Sequence, residues 1–273
     1  MLRIDDRDRV RLLTLDRPEA RNAFDTALYV AVAEALDDAA GRDDVAVVVI
    51  TGTDGSFSAG QDLAEMGRLG AARRDGDAED RDTEDRHTQE SGGHGFGRFI
   101  EAIEAFPKPL IAAVNGVGVG VGLTMLPYCD LVLVGDSARL RAPFVRLGVV
   151  PEAGGSHTLP AVMGRQAAAH ALFTAEWIDA GTAVACGLAW RHCADDELLD
   201  ETMAVARVIA RMPVVSLVET KRLLLADRLA AARAARGREE AVFAELTGAP
   251  ANREAIAAFL EKREPDFTNL AQE

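Results

Sequence analysis

The chain has 273 residues, of which 48% are hydrophobic, and a formal net charge of -14 at pH 7. This length and composition suit one large globular domain, or one domain with a helical extension. The acidic balance argues against non-specific binding to nucleic acid or to an anionic membrane surface, because both depend on an excess of Lys and Arg. No apolar run reaches the roughly 18 residues of a membrane span and no signal-type segment follows the charged N-terminus, so we expect a cytoplasmic protein.

The first fifty residues predict a strand, a helix and a second strand. Val10–Leu15 is rich in β-branched and apolar residues, and residues 28–40 carry apolar side chains at helical spacing, with Asp25 or Thr26 as a cap. Residues 45–51 form a nearly continuous apolar run without alternation, which is typical of a strand buried on both faces. This order predicts an α/β fold with right-handed crossovers.

Two glycine-containing segments follow predicted strands. Residues 52–63 are rich in turn formers and lie at a strand's carboxyl end, where open α/β sheets bind ligands. Residues 115–122 have glycine at every second position after the strand Leu110–Val114, and they do not fit the G-x-G-x-x-G dinucleotide fingerprint. We interpret them as backbone N–H groups presented to an anionic centre. Residues 68–95, dense in Asp, Glu and Arg, are expected to form a mobile surface loop.

The second half of the chain is predominantly helical in pattern. Further strands are predicted over residues 130–134 and 139–142, and helices over residues 159–173 and 175–188. From residue 197 the chain is expected to be helical, with Pro213 starting one helix and Gly237 and residues 248–250 separating others. We predict an α/β core over residues 1–195 and a helical region over residues 196–273.

One carboxylate stands out in this pattern. Glu152 lies between the apolar run 147–150 and two glycines, and burying a lone carboxylate costs several kcal/mol unless it is paired or functional. Glu152 either caps the helix expected to start near Ser156, where the helix dipole favours an acidic side chain, or acts in catalysis. The local sequence leaves both interpretations open.

Two common kinds of catalytic site are not predicted. The five histidines show no HExxH spacing and the three cysteines no CxxC spacing, so we expect no metal site. Residues 154–157 lack the G-x-S-x-G pattern of a serine hydrolase.

Several segments together resemble the enoyl-CoA hydratase/isomerase (crotonase) family, closest in pattern to Δ3,Δ2-enoyl-CoA isomerases. The resemblance covers nearly the whole chain and implies a crotonase-like (ClpP/crotonase) α/β spiral of ββα units with a C-terminal helical oligomerisation region. It also implies an acyl-CoA thioester as substrate, no separate cofactor, and assembly as a homotrimer or a dimer of trimers. The matching segments are residues 15–23, 57–63, 113–122, 129–130 and 147–155.

The shared chemistry of that family is stabilisation of a thioester enolate by two backbone N–H groups. By position, the resemblance assigns these donors to Gln61 and Val121, and lets Asp62 order the loop that carries the first donor. Arg21 is a candidate phosphate contact, although a solvated surface arginine is an equal reading. The positions that correspond to the CoA site are Arg21, Ala23, Ala59, Gly60, Gln61, Asp62, Leu63, Gly118, Gly120 and Val121.

The resemblance also separates two activities. Hydratases of the family use two glutamates, and the corresponding positions here hold Thr124 and Phe144, neither of which is a general base. Isomerases place one acid where this chain has Glu152, so we expect a Δ3,Δ2-enoyl-CoA isomerase of fatty-acid degradation. The alternatives are a hydratase, lyase or hydrolase of the same family that uses another acid such as Glu65, and a non-catalytic acyl-CoA-binding scaffold.

Overall fold

Two β-sheets form the centre of the protein, whose computed structural model describes residues 1–62, 65, 93–268 and 270. The larger sheet has the order β1-β2-β3-β5-β7-β10, and its neighbours are parallel except for the antiparallel β1 and β2. Its strands are Leu2–Arg7, Val10–Leu15, Val47–Gly52, Leu110–Val114, Leu131–Gly135 and Arg191–Cys193. The smaller sheet has the order β4-β6-β8-β9, with strands Ser56–Ser58, Val117–Val119, Arg139–Arg141 and Ile178–Asp179.

The chain adds strands to the two sheets in turn. β3, β5 and β7 lie side by side in the larger sheet, and β4, β6 and β8, which each follow one of them, lie side by side in the smaller sheet. Each turn of the chain therefore contributes one strand to each sheet before the next helix begins. This arrangement confirms the expected α/β spiral of ββα units.

Ten α-helices have described bounds. The first begins as predicted, because the Asp25 carboxylate accepts a hydrogen bond of 2.8 Å from the N–H of Leu28. The helices α1 to α10 are Thr26–Gly41, Gly93–Ala105, Val121–Thr124, Gly155–Met163, Arg165–Thr174, Ala180–Ala185, Leu198–Ala210, Val214–Leu225, Arg228–Leu246 and Pro250–Leu260.

The central strands are buried on both faces, as the run over residues 45–51 predicts. Val48 and Ile50 of β3 belong to a core shared with α1 and α2, whereas Val47 and Val49 pack in a second core with α7. Alternate side chains of a strand point to opposite faces, so both faces of β3 must be apolar. The residue pattern and the layer structure agree for this reason.

Some predicted helices differ in their bounds. The helix predicted over residues 159–173 is divided at Gly164, whose φ of 76° ends α4, and the one over residues 175–188 is reduced to α6 after the short strand β9. Gly237 lies inside α9 rather than between helices, because a single interior glycine costs a helix only about 1 kcal/mol. Of the loop expected over residues 68–95, residues 68–92 lie outside the described part of the chain.

The C-terminal helices pack on the α/β core of the same chain. Helix α7 covers the larger sheet, and Asn252 of α10 donates a hydrogen bond of 2.7 Å to the carbonyl of Leu147. The division into a core and an oligomerisation region remains a prediction. Among the described residues, none of the helices has the length and apolar character needed to cross a bilayer.

Candidate active site

A cavity of about 720 Å³ opens between the smaller sheet and the C-terminal helices. This volume is in the range of sites that bind small molecules and cofactors. Its walls come from the 20–23 segment, the 59–62 loop, the 141–153 segment and, across from them, α9, α10 and the residues after α10. Most of the predicted CoA-site positions line it, namely Arg21, Ala23, Ala59, Gly60, Gln61 and Asp62, together with Gly120 and Glu152.

Two backbone hydrogen bonds join the 59–62 loop to Phe24 and leave the N–H of Gln61 without an acceptor in the ranges that the structure describes. The N–H of Phe24 donates to the carbonyl of Gly60 at 2.7 Å, and the N–H of Asp62 donates to the carbonyl of Phe24 at 2.9 Å. Successive peptide groups of an extended segment point to opposite sides, so the N–H of Gln61 points away from Phe24. Within the described part of the chain no group accepts a hydrogen bond from it.

The second glycine segment approaches this loop closely. Gly60 has φ of 93°, and a Cβ built there would lie 2.7 Å from the carbonyl oxygen of Val119. A Cβ built on Gly120 would lie 4.0 Å from the Cα of Gly60 and 3.9 Å from Oε1 of Glu152. Glycine is therefore required for the close approach of the two backbones, and Glu152 faces the point where they meet.

Val121 follows Gly120 at the start of α3. Its side chain is fully buried in the core, and its N–H has no acceptor among the described residues. The N–H groups of Gln61 and Val121 are thus left unpaired beside the cavity, as a pair of oxyanion donors requires. Their role stays a prediction, because it depends on where a substrate oxygen lies.

The loop before Gln61 depends on two residues that sequence reasoning did not single out. The fully buried Asn22, at φ of 57°, accepts from the N–H of Arg17 at 2.9 Å and donates to the carbonyls of Thr53 at 3.0 Å and Ser56 at 2.7 Å. The Arg17 guanidinium lies 3.0 Å from the Asp62 carboxylate. Asp62 is therefore tied to the loop framework. Polar residues next to a strand end were the only sequence signal for this network.

Glu152 carries a carboxylate that no described group neutralises. Its side chain is half-buried on the cavity wall, and within the described residues it makes neither a hydrogen bond nor an ion pair. Desolvation by burial, and to a smaller extent the charge of Glu239, raise the pKa of Glu152 to about 7. A carboxylate with a raised pKa is a stronger base toward a weakly acidic C–H group, so this environment suits proton transfer near neutral pH.

The N-terminus of α4 is capped by another residue. The Glu239 carboxylate of α9 accepts hydrogen bonds of 2.7 Å from the N–H of Gly154 and 2.7 Å from the N–H of Ser156. The capping interpretation of Glu152 is therefore wrong, since Glu239 occupies that place and leaves Glu152 directed to the cavity. Glu239 was not identified from the sequence, because it lies 85 residues from Gly154.

The remaining predicted positions lie in different surroundings. Phe144 lines the cavity and is 4% exposed, whereas Thr124 is fully buried with its hydroxyl donating to the carbonyl of Gly120 at 3.3 Å. Gly118 is buried in β6 and does not line the cavity; a Cβ there would lie 2.5 Å from Cδ2 of Leu140, so its glycine serves strand packing. Leu63 lies outside the described residues. No cluster of three potential metal ligands occurs in the part of the chain that is described.

Residues 5–270 match the model of the Enoyl-CoA hydratase/isomerase family. The chain belongs to this family. An enoyl-CoA hydratase/isomerase from Pseudoalteromonas atlantica T6c has the same crotonase fold, with a TM-score of 0.85 and 34% identity over 98% of this chain and 99% of that one.

Two bacterial relatives carry names for different reactions. A 2,3-dehydroadipyl-CoA hydratase of Escherichia coli K12 is 35% identical over 97% of each chain. A 1,2-epoxyphenylacetyl-CoA isomerase of the same strain is 31% identical over 95% of each chain. Membership of the enoyl-CoA hydratase/isomerase family thus leaves the choice between hydration and isomerisation to the residues of the site.

Proposed function

We propose that this member of the enoyl-CoA hydratase/isomerase family is a Δ3,Δ2-enoyl-CoA isomerase in which Glu152 is the only acid–base group. The observation that carries the proposal is that Glu152 is the one unpaired carboxylate, among the residues the structure describes, that faces the junction of Gly60 and Gly120. A double-bond shift needs one base that removes a proton and returns it nearby, whereas the family's hydratase mechanism needs two carboxylates. Thr124 and Phe144 supply neither of the latter.

The proposed reaction starts when the Glu152 carboxylate removes a proton from C2 of a 3-enoyl-CoA. The electron pair delocalises over the thioester carbonyl and the C3–C4 double bond, and the N–H groups of Gln61 and Val121 bind the resulting oxygen anion. Protonated Glu152 then returns the proton to C4, which leaves a C2–C3 double bond. Donors aimed at charge that develops in the transition state lower the barrier by about 3–4 kcal/mol each.

The two ends of the cavity would bind different parts of the substrate. The thioester carbonyl is placed at Gly60 and Gly120, so the CoA arm passes Ala23 and Ala59 toward Arg21, which is exposed and suited to a phosphate group. The acyl chain would then extend toward Phe144, Leu147 and the C-terminal helices. This apolar wall accommodates a hydrocarbon chain.

The test follows conversion of a purified 3-enoyl-CoA to its conjugated isomer by ultraviolet absorbance. We expect turnover by the wild-type protein and a loss of at least about 10³-fold in kcat for Glu152→Gln, which keeps the shape but not the base. Phe144→Leu is a matched control on the same wall and is expected to keep kcat within about tenfold. Absence of wild-type turnover, or unchanged turnover in Glu152→Gln, contradicts the proposal.

Hydration is the second candidate, supported by the name of the Escherichia coli hydratase relative. It requires another acid, and Glu65, the first alternative from the sequence, has its carboxylate accepting a hydrogen bond of 2.9 Å from the N–H of Thr26. Mass analysis after incubation with a 2-enoyl-CoA distinguishes the two, because only hydration adds one water to the product. Tight acyl-CoA binding without either product supports the scaffold alternative.

Oligomerisation remains part of the proposal. Large apolar side chains stay exposed on the C-terminal helices of the single chain, including Val215 at 71%, Leu224 at 71% and Leu260 at 73%. Large apolar side chains that stay exposed on a single chain favour a protein interface on these helices. We expect sedimentation equilibrium to give a homotrimer or a dimer of trimers.

A further inference from the structure

The backbone that carries Glu152 is strained. Ala153 has φ of 57° and Gly154 has φ of 70°, so two consecutive residues after Glu152 are left-handed. A left-handed residue other than glycine costs about 1–3 kcal/mol and persists only where its surroundings hold it. A Cβ on Gly154 would lie 2.9 Å from the carbonyl of Ala232, so this turn is also packed tightly against α9.

Two side chains hold this turn. The hydroxyl of Tyr128 donates to the carbonyl of Ala153 at 2.6 Å, and the Glu239 carboxylate accepts from the N–H groups of Gly154 and Ser156. Glu239 is 6% exposed, and both of its carboxylate oxygens accept these hydrogen bonds. It therefore ties the residues that follow Glu152 to a helix that begins 76 positions later in the chain.

We propose that Glu239 is a positioning residue for Glu152: it holds the strained turn in place, and its negative charge adds to the effect of burial on the Glu152 carboxylate. This inference rests on the proposed role of Glu152 as the base. Glu239 touches no reacting atom and does not itself move a proton.

The charged and titratable groups around this pair support an electrostatic role. Tyr29 of α1 faces Glu152, whose charge, after desolvation by burial, raises the pKa of the Tyr29 hydroxyl. Arg141 and Arg146 lie on the same cavity wall.

Around Glu239 lie Tyr128 and, on its own helix, Arg236 and Glu240, and the Tyr128 hydroxyl in turn lies 3.4 Å from the Glu104 carboxylate. Neither Arg236 nor any other described cation forms an ion pair with Glu239 or Glu152, whereas Arg233 and Arg236 pair with Glu104. The two N–H hydrogen bonds offset part of the negative charge of Glu239, and the remainder acts on its neighbours, including Glu152. Like charges in a desolvated site raise one another's pKa.

The test compares Glu239→Gln, Glu239→Asp and Glu245→Gln in pH profiles of kcat/KM. Glutamine keeps the size and one acceptor but removes the charge, so we expect the ascending limb to move to lower pH by about 0.5–1 unit. We also expect kcat to fall about tenfold, because a loosened turn misplaces the base. Glu239→Asp keeps the charge and is expected to keep the limb within about 0.3 unit of wild type while lowering kcat.

Glu245→Gln removes the same charge from the same helix at an exposed position that does not line the cavity, so its profile is expected to match wild type. A Glu239→Gln enzyme with wild-type kcat and an unmoved limb overturns the inference. So does an equal shift in Glu245→Gln.

Infrared difference spectroscopy titrates the Glu152 carboxyl directly, and its band is identified by its absence in Glu152→Gln. This titration measures the effect of Glu239→Gln on the pKa of Glu152 without turnover. If Glu152→Gln is fully active, the proposed function fails. If Glu152→Gln is inactive but the Glu152 titration is unmoved in Glu239→Gln, only the inference about Glu239 fails.

Discussion

Gly60→Ala is the sharpest perturbation of the proposed oxyanion loop. Gly60 has φ of 93°, where an L side chain is strained, and the added Cβ would lie 2.7 Å from the carbonyl oxygen of Val119. That contact is with backbone, so it cannot be relieved by turning a side chain. The 59–62 loop must move away from the segment that ends at Gly120.

Backbone strain and displacement of the 59–62 loop have different effects. The left-handed strain costs about 1–3 kcal/mol of stability, whereas the displaced loop lowers the rate of the reaction. A misplacement of about 1 Å lowers catalysis about 10²-fold, and loss of one oxyanion donor lowers kcat about 10²–10³-fold. We therefore expect kcat/KM for the double-bond shift to fall at least about 100-fold while the protein stays folded.

The assay pairs absorbance kinetics with thermal unfolding, and Gly164→Ala serves as the control. Gly164 has φ of 76°, is exposed, and has open space where the Cβ would go. It carries a similar backbone strain without touching the site, so its kcat/KM is expected to stay within about twofold of wild type. A folded Gly60→Ala protein with kcat/KM within threefold of wild type would refute the assignment of this loop.

Two further predictions concern stability. Asn22→Ala removes a fully buried side chain that bonds to Arg17, Thr53 and Ser56, and should cost about 3–5 kcal/mol in denaturant unfolding; a loss below 1 kcal/mol would show that the network is dispensable. The pKa of Glu152 is raised from 4.5 to about 7, so its contribution is fully present below pH 4.5 and is lost as pH rises through 7. The free energy of unfolding of Glu152→Gln, measured with denaturant, is therefore expected to exceed that of wild type by about 1–3 kcal/mol at pH 8, and the difference should disappear at pH 4.5. A variant less stable than wild type at pH 8 contradicts the buried-base assignment.

The strands of the larger sheet could be predicted wherever the chain is buried on two faces. Val10–Leu15 and Leu110–Val114 have the predicted bounds, because a strand covered on both sides is apolar at most positions. The buried exception is Arg11, whose guanidinium pairs with Asp6. The sequence predicts turn or glycine-rich segments where the structure has the three-residue strands Ser56–Ser58 and Val117–Val119. A strand of three residues is too short to show alternation, and only its neighbours in the sheet define it.

The sequence by itself determined the family, the two glycine segments and the isolated carboxylate at Glu152, because these depend on residue type and order along the chain. It did not determine whether Glu152 caps a helix or faces a cavity. The tertiary structure decided that by bringing Glu239 of α9 to the N-terminus of α4, and local sequence does not distinguish Glu239 from the exposed Glu240 beside it. A hydrogen bond between segments far apart in the chain produces no pattern of residues in either segment. Only the packing of the helices therefore shows that Glu239 caps α4 and that Glu152 faces the cavity.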